Sequence, residues 1–276
     1  MEGSVKLKLG INEYISNEDY HADREYISSS GLKKILVDPR GFYKEYVLNE
    51  GSQLSSSALD FGSYLHCAIL EPHLLDEEFA VYDGAMKRGK KFEQFAEENE
   101  GKTIITTSQE QQAKRLINNF NEATVVIGKQ GHDKEVQISS FYSGGFAEQT
   151  FCHEINGIKV KVRTDYRKEF EDFGSINDLK TTGDIADTAR DASRICDAWG
   201  YDVSAALYVD VVSAVTDKPH DFYFTFLSKK NGEVRIFKAS EAMLERGRKK
   251  YLEAIELLKK ARDNRIYYVN EIKEID

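Results

Sequence analysis

From about Lys134 the apolar residues switch from helical spacing to a period of two, and that switch decides which class of fold the chain can adopt. "KEVQISSFY", "FAEQTFCHEI" and "IKVKVRTDYRKEF" read as successive antiparallel strands. Asn156-Gly157 is a strong two-residue hairpin signal between the second and third, and "SINDLKTT" supplies the next strand. Ahead of this block, Ser28 to Ser30 cap a helix, "GLKKILV", that Pro39 ends, and "RGFYKEYVL" forms another. In "SSSALDFGSYLHCAILEP", Ser57 and Asp60 stand at N-cap and N3, with an apolar stripe through Phe61, Leu65, Ala68 and Ile69. "TIITTSQEQQAKRLINNF" reads as a strand and then a helix capped by Ser108, with Gln111 at N3. Beyond the strand block come two helices, "IADTARDASRICDAW" and "YDVSAALYVDVVSAV". Strands "DFYFTFLS" and "EVRIFKA" follow, joined at Asn231-Gly232, then a charged helix from about Ser240 to Arg262. Helices, a sheet, and helices packing back onto it make an α/β fold with a central mixed sheet, expected as one domain over residues 1–276.

Apolar residues make up 41% of the chain, with 15 Tyr and 15 Phe, enough for a substantial core. No run is long enough for a membrane span and no signal peptide is evident, so no membrane partner is expected. Cys67, Cys152 and Cys196 show no paired or metal-binding spacing and suit a reducing cytoplasm. A net charge of −9 argues against passive nucleic-acid binding, which depends on Lys and Arg neutralising phosphates. Two basic runs, Lys87 to Lys91 and "ERGRKK" at Glu245 to Lys250, could guide a phosphate backbone or be solvated helix faces.

"KVRTDYRKEFEDFGSINDLKTT" concentrates the chemistry. Asp178 and Lys180 are two apart, so they project from one face of a strand, and a hairpin brings Asp165 alongside. Two acids and a lysine at one point form either an ion pair or the set that phosphodiester hydrolysis needs. Carboxylates hold Mg²⁺ as a Lewis acid, and a lysine orients or deprotonates water and stabilises phosphoryl charge. Asp178 lies between Ile176 and Leu179 in a run expected to be buried, where an acid needs a partner or a metal. His66 is by spacing alone a structural helix histidine or a ligand. Arg163 and Arg194 could contact phosphate or pair with acids.

Beyond these residues the chain resembles the RecE-type (exonuclease VIII-like) phage exonucleases of the PD-(D/E)xK nuclease superfamily. The resemblance runs in order through "NEDYHADREYISSSGLKKIL", "DPRGFYKEYVL", "ALDFGSYLHCAILEP", "VRTDY", "INDLKTT" and "WGYDVSAALY", roughly Asn17 to Tyr208. It implies that Asp165 and Asp178 are metal ligands, Lys180 the catalytic lysine and His66 a further metal ligand. Glu148 matches an acid with a supporting site role. Tyr208 ends a Gln-x-x-x-Tyr motif in which Ser204 replaces the Gln. It further implies Mg²⁺ as cofactor, with Mn²⁺ substituting, and digestion of one strand of double-stranded DNA from its ends, 5′ to 3′. The expected setting is the cytoplasm of a bacterial host, with a phage-encoded chain, a RecT-like single-strand annealing partner and a homo-oligomeric ring of three or four subunits. An inactive DNA-binding scaffold and an endonuclease on the same core are the alternatives.

Overall fold

Asn156 and Gly157 both take left-handed backbone, at φ of +51° and +81°, the pair of values a tight type I′ turn requires. They fold strand β6 (Phe146–Ile155) onto β7 (Ile158–Glu169) in antiparallel register from Ile155↔Ile158 outward. This hairpin seeds the central sheet of the computed structural model, which describes residues 6–50, 57–84, 86–128 and 133–268. Six strands run in the order β1-β6-β7-β8-β9-β10. β1 (Gly10–Asn12) borders β6, and β8 (Gly174–Thr182) is antiparallel to β7. β9 (His220–Ser228) then runs parallel to β8, and β10 (Val234–Lys238) closes the far edge. A parallel neighbour needs a crossover, and the two helices after β8 provide it. The sheet is therefore mixed, and helices flank it, as the sequence predicts.

Helices cover both faces. On one lie α2 (Ser29–Val37), α8 (Ala189–Trp199), α9 (Tyr201–Thr216) and α10 (Glu241–Asn264). Their core joins Leu32, Ile195, Leu207 and Ile255 to Val160, Ile176, Phe222 and Phe224 of the sheet. The other face receives α4 (Ser57–Leu70) and α7 (Thr107–Glu122), with Phe61, Leu65 and Leu116 against Leu179, Leu227 and Val234. Shorter elements fill the periphery. α1 (Asn17–Ala22) precedes α2, α3 (Pro39–Phe42) follows it, and α5 (Leu75–Glu78) leads into β2 (Phe79–Tyr82). β2 runs parallel to β3 (Thr103–Thr106), with α6 (Lys90–Glu98) between them in sequence. No helix among the described residues is long and apolar enough to cross a membrane.

Three local expectations change. Only Lys134–Gln137 of "KEVQISSFY" is strand (β5), and it pairs with β4 (Thr124–Ile127) apart from the main sheet. A 3₁₀ turn over Ile138–Tyr142 takes the rest; Ile138 and Tyr142 pack into the core under α7, and Phe141 meets the Tyr223 ring at 5.6 Å. The cap of α7 is Thr106, whose hydroxyl and backbone exchange hydrogen bonds with Gln109, two residues before the Ser108/Gln111 box. β3 ends on that threonine, so the chain is already turning there. Ser57 is the first helical residue of α4, and the position before it lies outside the described residues.

"ERGRKK" is spent on structure. Arg246 and Lys250 both pair with Asp202, which is fully buried, and Arg248 grips Asp210 through two bonds of 2.7 Å. Gly247 sits between these cations because α10 crosses α9 there: an added Cβ would lie 1.9 Å from the Asp202 carbonyl oxygen. Gly247→Ala should therefore lower stability by about 1–3 kcal/mol through overpacking. That outweighs the gain of about 1 kcal/mol that alanine brings to a helix interior. A thermal melt several degrees below the parent checks it.

Candidate functional site

β7 and β8 pair from Glu169↔Gly174 as far as Tyr166↔Asn177 and then part. At the fork, Asp165 Oδ2 accepts a hydrogen bond from the Leu179 amide at 2.7 Å, so a side chain replaces the missing rung. The same residue is held from its other side. His66 Nε2 lies 2.7 Å from the Leu179 carbonyl oxygen, and Nδ1 lies 3.7 Å from Asp165 Oδ2. Without a cation, the first contact requires the hydrogen on Nε2; beside a cation, both atoms are lone-pair donors. Burial lowers the His66 pKa against the pull of Asp165, so the ring is neutral and able to ligate. At Gly62 an added Cβ would stand 3.4 Å from Thr181 Oγ1, so the missing side chain lets α4 approach β8.

Glu148 arrives from the other side. The β6–β7 register runs through Ala147↔Tyr166 and Gln149↔Thr164, which leaves Glu148 opposite Asp165. Its φ of +48° is left-handed, a conformation that costs a residue with a Cβ about 1–2 kcal/mol. His66, Glu148 and Asp165 each bring one ligand atom, and these atoms lie within 4.8 Å of one another. Burial pushes the Glu148 carboxyl up to about 8, and Asp165 adds to the push. Two acids opposed on neighbouring strands beside a neutral imidazole are costly until a cation joins them.

Asp178 stands beside this group and belongs to Lys180. It is 5% exposed, and the Lys180 ammonium approaches Oδ1 at 2.8 Å and Oδ2 at 2.7 Å. Oδ2 has the ion-pair contact but no hydrogen bond of good geometry, so it keeps a lone pair to offer. Burial pushes Asp178 up to about 7, with Lys180 opposing. Burial also works against the Lys180 ammonium, but Asp178 and Asp165 outweigh it and hold it charged above its ordinary range.

On α9, burial and then Asp178, Asp165 and Glu148 raise the Tyr208 phenol, which places it facing the acids; its ring meets Phe222 edge-on at 6.2 Å. Ser204, the departure from the Gln-x-x-x-Tyr pattern, points to α2 and bonds Ser29 Oγ at 3.3 Å. Tyr201 lies with Lys180 Nζ at 5.5 Å and Lys33 Nζ at 5.7 Å from its ring centre. Sequence reading missed Lys33 and the Leu179 carbonyl. Neither carries a signal in the spacing: one is backbone, and the other is one lysine of a "KK" pair that only the packing of α2 separates from its neighbour. Arg163 is withdrawn from phosphate contact, because it bonds Thr150 Oγ1 and the carbonyls of Ile15 and Ser16 and stacks on Tyr20. Arg194 is an exposed partner of Asp191 at 3.5 Å.

Glu148 yields a test of its own. Glycine tolerates positive φ and removes a buried carboxyl, so Glu148→Gly should stabilise the metal-free protein by about 1 kcal/mol. The same change should abolish the rise in Tm that Mn²⁺ gives the parent. Calorimetric melts with and without Mn²⁺ measure both effects.

The comparisons fit this geometry. No curated protein matches the chain in sequence. Among solved structures, a crystal structure described as "Putative exonuclease" from Eubacterium rectale superposes with a TM-score of 0.64 at 19% identity, over 92% of this chain and 88% of that one. At that identity the likeness speaks for the fold. The crystal structure of SSO0001 aligns with a TM-score of 0.29 at 12% identity, over 70% of this chain and 85% of that one, too low to bear on the argument. The family model described as "PDDEXK-like domain of unknown function" matches residues 28–267, so the forked sheet and its acids sit within a recognised unit, and the chain belongs to that family.

Proposed function

We propose that the chain is a divalent-metal-dependent deoxyribonuclease that digests one strand of linear double-stranded DNA from its end. The observation that carries this reading is the convergence of His66, Glu148 and Asp165 next to the Asp178–Lys180 pair. The donor set fits the metal the family implies: carboxylate and carbonyl oxygens suit Mg²⁺, and an imidazole among them suits Mn²⁺. When bound, such a cation polarises a phosphoryl oxygen and lowers the pKa of water. His66, Asp165 and Glu148 would hold it; the Leu179 carbonyl lies against the His66 ring, and Asp178 Oδ2 keeps a lone pair on the neighbouring strand. Lys180, held charged, donates hydrogen bonds to a phosphoryl oxygen or to the attacking water and stabilises developing negative charge. It does not take the water's proton, so the orienting role is favoured over the base role. Tyr208 closes the site opposite the acids.

The resemblance to RecE-type exonucleases supports the finer reading: 5′ to 3′ polarity, release of a 3′ overhang to a RecT-like annealing partner, and work in recombination in a bacterial cytoplasm. A charge of −9 gives little nonspecific hold on DNA, so processive digestion calls for enclosure, and a ring of three or four copies supplies it. The test uses linear duplex labelled at either end, with and without Mg²⁺, beside a covalently closed circle. Mg²⁺-dependent loss of the 5′ label with the circle intact is the expected result. Cleavage of the circle would replace the exonuclease by an endonuclease, and binding without cleavage would leave a scaffold. Light scattering that shows a monomer during processive digestion would remove the ring.

A further inference from the structure

Trp199, the chain's single tryptophan, closes α8. The buried residues of that helix are Ala192, Ile195 and Cys196, and by helical spacing Trp199 continues their stripe. Yet its side chain is 64% exposed. The inner face of α8 thus runs out over open space, and contacts at its end tie that space to the site. The Trp199 carbonyl accepts a hydrogen bond from Lys33 Nζ at 3.3 Å, and Lys33 shares the Tyr201 ring with Lys180.

Lys33 is itself unusual. Among the described residues no carboxylate forms an ion pair with it; burial and then Lys180 disfavour its charge, against the pull of Asp178 and Asp202. A half-buried ammonium without an ion-pair partner can take the charge of an arriving anion. Trp199, whose carbonyl Lys33 holds, offers with its exposed indole the other half of a nucleotide's chemistry, a flat apolar face.

We propose that Trp199 and Lys33 form a nucleotide-holding corner beside the metal cluster, the indole stacking on a nucleobase and the ammonium pairing with a phosphate of the same strand. The proposal rests on the nuclease reading above and deepens it. Every base has a π-face, so stacking is sequence-tolerant, as an enzyme stepping along any sequence needs. Inside a duplex both faces are covered by neighbouring pairs. The corner therefore takes an unpaired nucleotide, which means that the DNA end opens as it enters.

Because Trp199 is the only tryptophan, its fluorescence reports the corner directly. The probe is a short 5′-phosphorylated oligothymidylate in Ca²⁺, compared with the same oligomer carrying abasic residues, with saturation confirmed by anisotropy. Quenching by the thymidylate but not by the abasic strand is expected. In Mg²⁺, Trp199→Ala should raise KM roughly tenfold with kcat changed much less, and Trp199→Phe should keep most of the affinity. Lys33→Ala should flatten the salt dependence of binding by about one phosphate contact, with Lys33→Arg restoring it. Unchanged emission at saturation, equal quenching by the abasic strand, or quenching that follows protein concentration without DNA would each overturn the corner. Failure of the nuclease reading is a separate result, absence of cleavage by the parent with Mg²⁺ or Mn²⁺, and the fluorescence measurement does not depend on it.

Discussion

Asp178→Asn and Lys180→Ala should each cut Mg²⁺-dependent cleavage by about 10²–10³-fold or more, and they should fail differently. Lys180→Ala removes the donor that stabilises phosphoryl charge but leaves His66, Glu148 and Asp165 in place, so metal binding should survive while turnover does not. It also strands the Asp178 carboxylate, which is buried with Lys180 as its ion partner. The alanine variant should therefore melt lower at pH 8 than at pH 6, where Asp178 can take up a proton. Asp178→Asn keeps the shape and loses the charge, so it should weaken the metal as well as release Lys180 from its position. Calorimetric Mn²⁺ titrations with single-turnover cleavage separate the two. Rates near the parent's in both variants would remove the site.

The second large effect is a pH window set by the carboxyls. Glu148 at about 8 and Asp178 at about 7 hold protons in the folded, metal-free protein that the unfolded chain has already released. Groups with raised folded pKa values stabilise below the unfolded pKa and lose that contribution as pH rises through the folded one. Stability without metal should thus fall from about pH 4, where the unfolded carboxyls titrate, to about pH 8. A cation must displace the same protons, so its affinity should climb over that window, by up to about tenfold per pH unit for each proton displaced. At a hundredfold excess over Kd, Mn²⁺ contributes about 2.7 kcal/mol, or roughly 5–10 °C in Tm for a domain of this size. The shift at pH 8 should exceed that at pH 6, and cleavage should follow it. Burial lowers the His66 pKa, so the carboxyls rather than the imidazole set the acid limb. His66→Ala should still lose most activity and recover in part with Mn²⁺ over Mg²⁺. Unaltered metal stoichiometry and affinity in that variant would make His66 a packing residue.

What the sequence made legible follows local rules. Asn156-Gly157 dictates its own turn, and the Asp-x-Lys spacing fixes a shared strand face wherever the strand lies. The less legible features depend on groups distant in the chain. "KEVQISSFY" alternates like a strand, but after Gln137 the chain coils, and Tyr142 and its neighbour Phe141 both pack on rings from distant elements. "ERGRKK" looks like a phosphate track until Asp197 on α8 and Asp202 and Asp210 on α9 take its charges. Glu148 could be placed on its strand, but not its left-handed backbone, because no local residue demands it. The tertiary site imposes that strain.

The fork at Leu179 sets an order of loss should selection on activity ever relax. Asp165 closes a rung of the sheet through the Leu179 amide, so a descendant that dropped it would lose folding stability along with chemistry. Glu148 contributes the opposite: a left-handed residue and a buried acid, both burdens on the fold. Drift should erase Glu148 first and Asp165 last. In a family census, an aspartate at the Asp165 position then says little about whether a member still works. The residue at the Glu148 position separates living enzymes from relics.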